Sequence, residues 1–307
     1  MSFSDAGMPA LLSREAGPHH KTLINVFLTL QLLGLIGSCA LVLTTTLSSR
    51  APRNATWQNF FTSWIISTVS YSLLLFAGQV NVPEPTFGVC LAQSGLIYGI
   101  PSLTAATTFG LIAQIWFSVQ KLLAHQVKNE RLLTIGILLI PYVILFAMVL
   151  ASWVTGIRNT DHVRVIGSGM YCHLNSSAAL GKASAAVVAL LLLPTLALEI
   201  SICVALRRNW GTFKRMKNSL SIILRVMIFT VFGILAITLS GIFVFSGSHG
   251  AALNIVFATM PVVAVVVFAT QKDIIGVWMF WRPRPEQDVE AKTFASSSRS
   301  SSASSKV

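Results

Sequence analysis

Seven apolar runs, each long enough to cross a bilayer, constrain this chain more than any other feature. They fall at roughly 23–47, 58–79, 88–120, 132–155, 183–206, 219–245 and 252–270. A spanning helix takes about 20 apolar residues, because in hydrocarbon each backbone N–H and C=O must be paired within the segment. Transmembrane strands alternate over about 10 residues, whereas these runs are longer and apolar on every face. Between Glu84 and Lys121 there is no charge, so the third run has length to tilt or to project beyond the hydrocarbon. Only 10% of the residues are charged, against about 25% in soluble domains. The expected fold class is an all-α membrane protein, a seven-transmembrane helix bundle. Residues 1–22 form a tail, 23–270 the bundle, 271–282 a short interfacial helix and 283–307 a Ser-rich tail. The first 20 residues do not fit a signal peptide, since the apolar run after them is too long for an h-region.

The formal charge of +12 sits in short clusters between the runs. That pattern fits loops facing anionic lipid, and it implies membrane lipids rather than nucleic acid as partners. One set of alternate loops holds ten basic residues: Arg50, Arg53, Lys121, Lys128, Arg131, Arg207, Arg208, Lys214, Arg215 and Lys217. The other set holds three: Arg158, Arg164 and Lys182. The positive-inside rule then places the N-terminus outside, the C-terminus inside and the protein in the plasma membrane as a multi-pass chain. Asn54, in the sequon of RNATW, falls on the cytoplasmic side and should carry no sugar. Asn175, in Asn175-Ser176-Ser177, falls outside and is the glycosylation candidate, with an unused sequon as the alternative.

Cys39 and Cys203 lie inside apolar runs and are expected to be buried hydrophobes. Cys90 and Cys172 both face the oxidising side, where a disulfide would pin the loop 156–182 over the bundle mouth. Two free thiols are the alternative.

Seven helices, an external N-terminus and this tether resemble a G-protein-coupled receptor. RNATWQNFFTSWIISTVSYSLLLFAGQ, residues 53–79, and FATQKDIIGVW, residues 268–278, are similar to stretches of basidiomycete fungal orphan seven-transmembrane receptor-like proteins. The resemblance implies signalling at the plasma membrane and a heterotrimeric G protein as candidate partner. It names no ligand. The inner end of the third run, QIWFSVQKLLAHQ, lacks Asp-Arg-Tyr, and PVVAVVVFATQ in the last run lacks Asn-Pro-x-x-Tyr, the activation motifs of the large rhodopsin-like family.

Other classes are poorly served by these residues. All six histidines and all four aspartates fall outside the runs, so no metal centre or catalytic cluster is expected at depth. No lysine stands in the last run for a retinal Schiff base. No cofactor and no enzyme activity are expected. A facilitative carrier of a neutral solute, or a non-signalling seven-helix protein, is the alternative.

The one carboxylate within a run is Glu199, about 10 Å inside the inner boundary, and Arg225 of the next run lies at about 9 Å. Such a pair would lower the cost of both charges and could act as an inner latch between the fifth and sixth helices. Lipid snorkelling by Arg225 with a neutral or serine-bonded Glu199 is the alternative. Tyr71, Gln79, Gln93, Tyr98, Thr104 and Thr108 are the pocket candidates. Hydroxyls and amides without charge suit a neutral or lipophilic ligand, an unknown small molecule, although Ser and Thr also serve as glue between helices. On the inner face Arg207, Arg208, Trp210, Lys214, Arg215 and Lys217 could contact lipid or a G protein. The apolar residues of QKDIIGVWMFW predict the interfacial helix, and the Ser-rich tail should be disordered and open to phosphorylation.

Overall fold

The computed structural model describes residues 18–48, 53–80, 82, 84–122, 130–166, 168–174, 178–208, 227, 228, 230, 231, 234 and 251–279. Their helices are α1 (Pro18–Leu47), α2 (Ala55–Tyr71), α3 (Leu73–Phe76), α4 (Phe87–Leu122), α5 (Glu130–Arg158), α6 (Ala178–Arg208), α7 (Ala251–Ala269) and α8 (Lys272–Trp278). Among the described residues four helices, α1, α4, α5 and α6, are long and apolar enough to cross a membrane, and α7 carries a shorter apolar stretch. At 36 residues α4 is about 54 Å long, well beyond the roughly 30 Å of hydrocarbon.

Two features depart from the sequence expectation. The chain is not wholly helical: β1 (Val163–Val165) and β2 (Cys172–Leu174) pair antiparallel, with Arg164 opposite His173. Three-residue strands inside a polar loop leave too little periodicity to be seen in advance. The run at 58–79 is not one helix either. It breaks at Ser72 and resumes as α3, which ends in a Schellman motif. Gln79 N–H donates to the Leu74 carbonyl and Gly78 N–H to the Leu75 carbonyl, with Gly78 at φ 67°. Glycine is the residue that takes this left-handed position without a Cβ penalty.

The helices bury many polar residues and leave many large apolar ones exposed on the outside. Leu33, Ile36 and Leu43 of α1 are exposed while Gln31, Ser38 and Thr45 are buried. That is the inverse of a soluble helix and suits hydrocarbon as the surrounding solvent. α4 lies innermost, touching α2, α5, α6 and both strands. Its glycines admit α5: a Cβ on Gly99 would stand 2.7 Å from Leu145 Cδ1, and one on Gly110 2.5 Å from Ile137 Cγ2. Gly34 and Gly37 of α1 likewise let Pro261 and Val265 of α7 approach. The largest core cluster is aromatic, with Trp57, Phe60 and Phe61 of α2 around Phe268 of α7 and ring centroids at 5.6 Å for Phe60 and 5.4 Å for Phe61.

Candidate functional site at the hairpin end of the bundle

β2 is fixed to α4 at three points. Cys90 and Cys172 form the expected disulfide, with Cα atoms 5.2 Å apart. One turn along α4, the fully buried Gln93 accepts the Cys172 N–H at 2.8 Å and donates its amide to the Ser70 and Tyr71 carbonyls at 3.0 and 3.3 Å. The Tyr98 hydroxyl donates to the Leu174 carbonyl at 3.1 Å. A single glutamine side chain thus joins α2, α4 and β2, and its bonds to the Ser70 carbonyl and the Cys172 N–H are buried away from water.

The connection from β1 to β2 folds into the bundle instead of over it. Gly169, at φ 73°, turns the chain, and Met170 is driven to 2% exposure among Phe27, Leu28 and Ala258. The Tyr171 ring stands edge-on to Tyr71 at 5.5 Å, and Phe27 closes the group at 6.0 Å from Tyr71. The Tyr171 hydroxyl donates to Asn254 Oδ1 at 3.0 Å, and Asn254 Nδ2 donates to Ser168 Oγ at 3.0 Å. Burial, reinforced by the Tyr71 and Tyr98 phenols, pushes the Tyr171 hydroxyl pKa upward, so it remains a neutral donor.

Of the sequence-derived pocket residues, Tyr71, Gln93 and Tyr98 come together here. Gln79 does not: it bonds Thr86 just ahead of α4, with Thr86 N–H donating to its Oε1 at 2.9 Å. Thr104 donates to the Ile100 carbonyl at 3.1 Å and Thr108 to the Thr104 carbonyl at 2.7 Å, both within α4. These hydroxyls bond carbonyls of their own helix, one turn back, and not a neighbouring helix. Phe27, Ser168, Met170, Tyr171 and Asn254 escaped sequence reasoning. Asn254 carried a signal, being the single amide in the last apolar run.

His173 occupies the other face of β2, opposite Arg164, with its Nδ1 buried and unpartnered. Burial lowers its pKa, and a hydrogen bond with the Arg164 backbone partly offsets this. A lowered folded-state pKa means that the unfolded chain takes up the proton first as pH falls. His173 therefore supports the hairpin fully above the ordinary histidine pKa, near 6.5, and progressively less below it. Amide exchange of residues 163–174 should quicken, beyond its intrinsic pH trend, as pH drops from 8 to 5. His173→Asn should remove that excess.

At the opposite end of the bundle, Arg53 donates to Gln271 Oε1 and pairs with Asp273 at 3.3 Å. Trp278 Nε1 donates to Thr44 Oγ1 at 2.8 Å, and Trp57 meets Phe268 at 6.3 Å. The two stretches that carry the family resemblance are therefore in contact. Arg53 is 11% exposed, and its guanidinium is engaged by Gln271 and by Asp273 of α8. Of the 271–282 segment expected as an interfacial helix, Lys272–Trp278 is helical as α8, with Gln271 at its N-cap position, and residues 280–282 lie outside the described residues. Arg207 and Arg208 are exposed in the last turn of α6, where positive charge suits the helix dipole. Glu199 is buried and hydrogen-bonded to Thr230, and one turn on, the Cys203 thiol meets Met227 Sδ at 3.6 Å. Arg225, Trp210, Lys214, Arg215, Lys217, Asn175 and the Ser-rich tail lie outside the described residues.

No family model matches the chain, and no curated protein matches it at a significant level.

Proposed function

We propose that this protein is a G-protein-coupled receptor-like membrane protein of the basidiomycete fungal type. It spans the plasma membrane seven times with the hairpin end outside. A neutral or lipophilic ligand acts at that end, and the fifth and sixth helices rearrange at the other. The observation that carries the reading is the loop between α5 and α6, bonded through Cys172 to the first turn of α4 and closing one end of the bundle. The α8 helix docked against α1 and Arg53 supports it from the opposite end. Glu199, buried against Thr230, is the polar contact that a shift of the sixth helix would break, and Arg225 is the charge proposed to latch it.

The test is reconstitution in lipid vesicles with and without a G-protein heterotrimer. A receptor accelerates guanine-nucleotide exchange on the α subunit and moves no solute. Flux of neutral solutes through vesicles holding only this protein, with no effect on exchange, would establish the carrier instead. An epitope on the Ser-rich tail that is labelled on intact cells would reverse the topology and remove the receptor reading.

A further inference from the structure

We infer that the tip of the β1–β2 connection is a built-in plug: Met170 and Tyr171 fill a binding site between α1, α2 and α7. The external ligand that displaces them is a neutral aromatic alcohol. The inference rests on the receptor reading for its biological meaning but on geometry alone for the site.

Three observations support it. First, a loop between two helices has no need to bury its tip, yet Met170 is 2% exposed and wedged among Phe27, Leu28 and Ala258. Second, the contacts that hold Tyr171 are those that would recognise a phenol. The ring meets Tyr71 edge-on and Phe27 at 6.3 Å, and the hydroxyl donates to the Asn254 amide oxygen. Third, no covalent bond holds the tip: besides its side-chain contacts it is tied by two backbone hydrogen bonds, Ile166 N–H to the Tyr171 carbonyl at 2.9 Å and Gly169 N–H to the Ile166 carbonyl at 2.7 Å, whereas β2 behind it is fixed by the disulfide and by Gln93. In the inferred displacement the Ile166–Tyr171 backbone bond breaks and residues 168–171 swing out about Gly169, while the paired residues Val163–Val165 and Cys172–Leu174 stay in place. The site carries amides and aromatic rings but no carboxylate or basic side chain among the residues named. An ion would be stranded there, and a neutral ligand would not.

The test is replacement of the missing side chain by its free analogue. Tyr171→Gly, in nanodiscs, should melt lower than the parent protein. Added p-cresol should raise its melting temperature by a saturable few degrees, because it binds the folded state alone. The parent, whose site is filled, should not respond, and neither should Tyr171→Gly with Asn254→Leu. An equal response from all three proteins would mean that the cresol acts through the bilayer, and no response from any would mean that no such site exists. Either result overturns the inference. Should Tyr171→Gly not fold, Met170→Cys provides a second route. Its labelling by a membrane-impermeant maleimide should be slow, and about fivefold faster once Asn254→Leu removes one hydrogen bond from the plug. Equal rates would refute the plug. Failure of G-protein exchange alongside cresol rescue would leave the site standing and remove only its receptor role.

Discussion

Gly37→Leu is expected to prevent assembly of the bundle, and Gly37→Ala to weaken it measurably. A Cβ at residue 37 would stand 2.5 Å from Val265 Cγ1, 2.9 Å from Cγ2 and 3.2 Å from Cβ. Val265 is β-branched and cannot swing its methyls aside within a helix, so α1 and α7 must separate. Overpacking of this kind costs about 1–3 kcal/mol for a methyl, and the larger leucine costs more. The loss is not confined to one contact. α7 also carries Phe268, around which the aromatic cluster packs, and Asn254, which holds the loop tip. Thermal melting in nanodiscs measures the effect, with Gly276→Ala as the control. No atom lies within 4 Å of a Cβ there, so Gly276→Ala should be neutral or slightly stabilising. A Gly37→Ala protein that melts with the parent would show that α1 and α7 do not pack this closely.

Gln93→Leu should loosen the hairpin nearly as much as loss of the disulfide does. Leucine fills most of the volume but leaves the buried Cys172 N–H without an acceptor, at about 1–3 kcal/mol. The Ser70 and Tyr71 carbonyls lose a donor as well. The disulfide closes a sequence separation of 82 residues, for which the chain-entropy model gives about 4.5 kcal/mol. That figure is a ceiling, because helices that persist in the bilayer shorten the effective loop. The two devices hold the same residue, so their losses should not add. Cys90→Ala with Cys172→Ala, Gln93→Leu, and the triple variant form the cycle, read by amide exchange across 163–174. Additive losses would mean that the glutamine and the disulfide act on separate parts of the loop.

The long apolar helices α1, α4, α5 and α6 were legible in the sequence because bilayer partition is nearly a local property. Each run of about 20 apolar residues carries its own preference for hydrocarbon, whatever its neighbours do. The cysteine pairing was legible for a related reason: Cys39 and Cys203 lie well inside apolar runs, whereas Cys90 stands at the start of the third run and Cys172 in the loop 156–182. The close approach of α4 and α5 also has a cue in the sequence. Gly95 and Gly99 form a Gly-x-x-x-Gly pattern, with Trp153 and Leu145 lying against them.

Among the described residues, what the sequence by itself determined was where the long apolar helices α1, α4, α5 and α6 lie and which two cysteines can meet. Only the tertiary structure decided which face of each helix looks inward. A helix that is apolar all round has no amphipathic stripe to set its rotation, and apolarity alone does not mark the end of α3 before Gln79, so Gln93 and Gln79 look equivalent in the sequence. Neighbouring backbones separate them: Gln93 turns to the Cys172 N–H and the α2 carbonyls, while Gln79 turns to Thr86. The partners of Arg53 and Tyr171 were hidden for the same reason. Asp273 and Asn254 lie 220 and 83 residues away from them, and contacts over such distances exist only once the helices have packed.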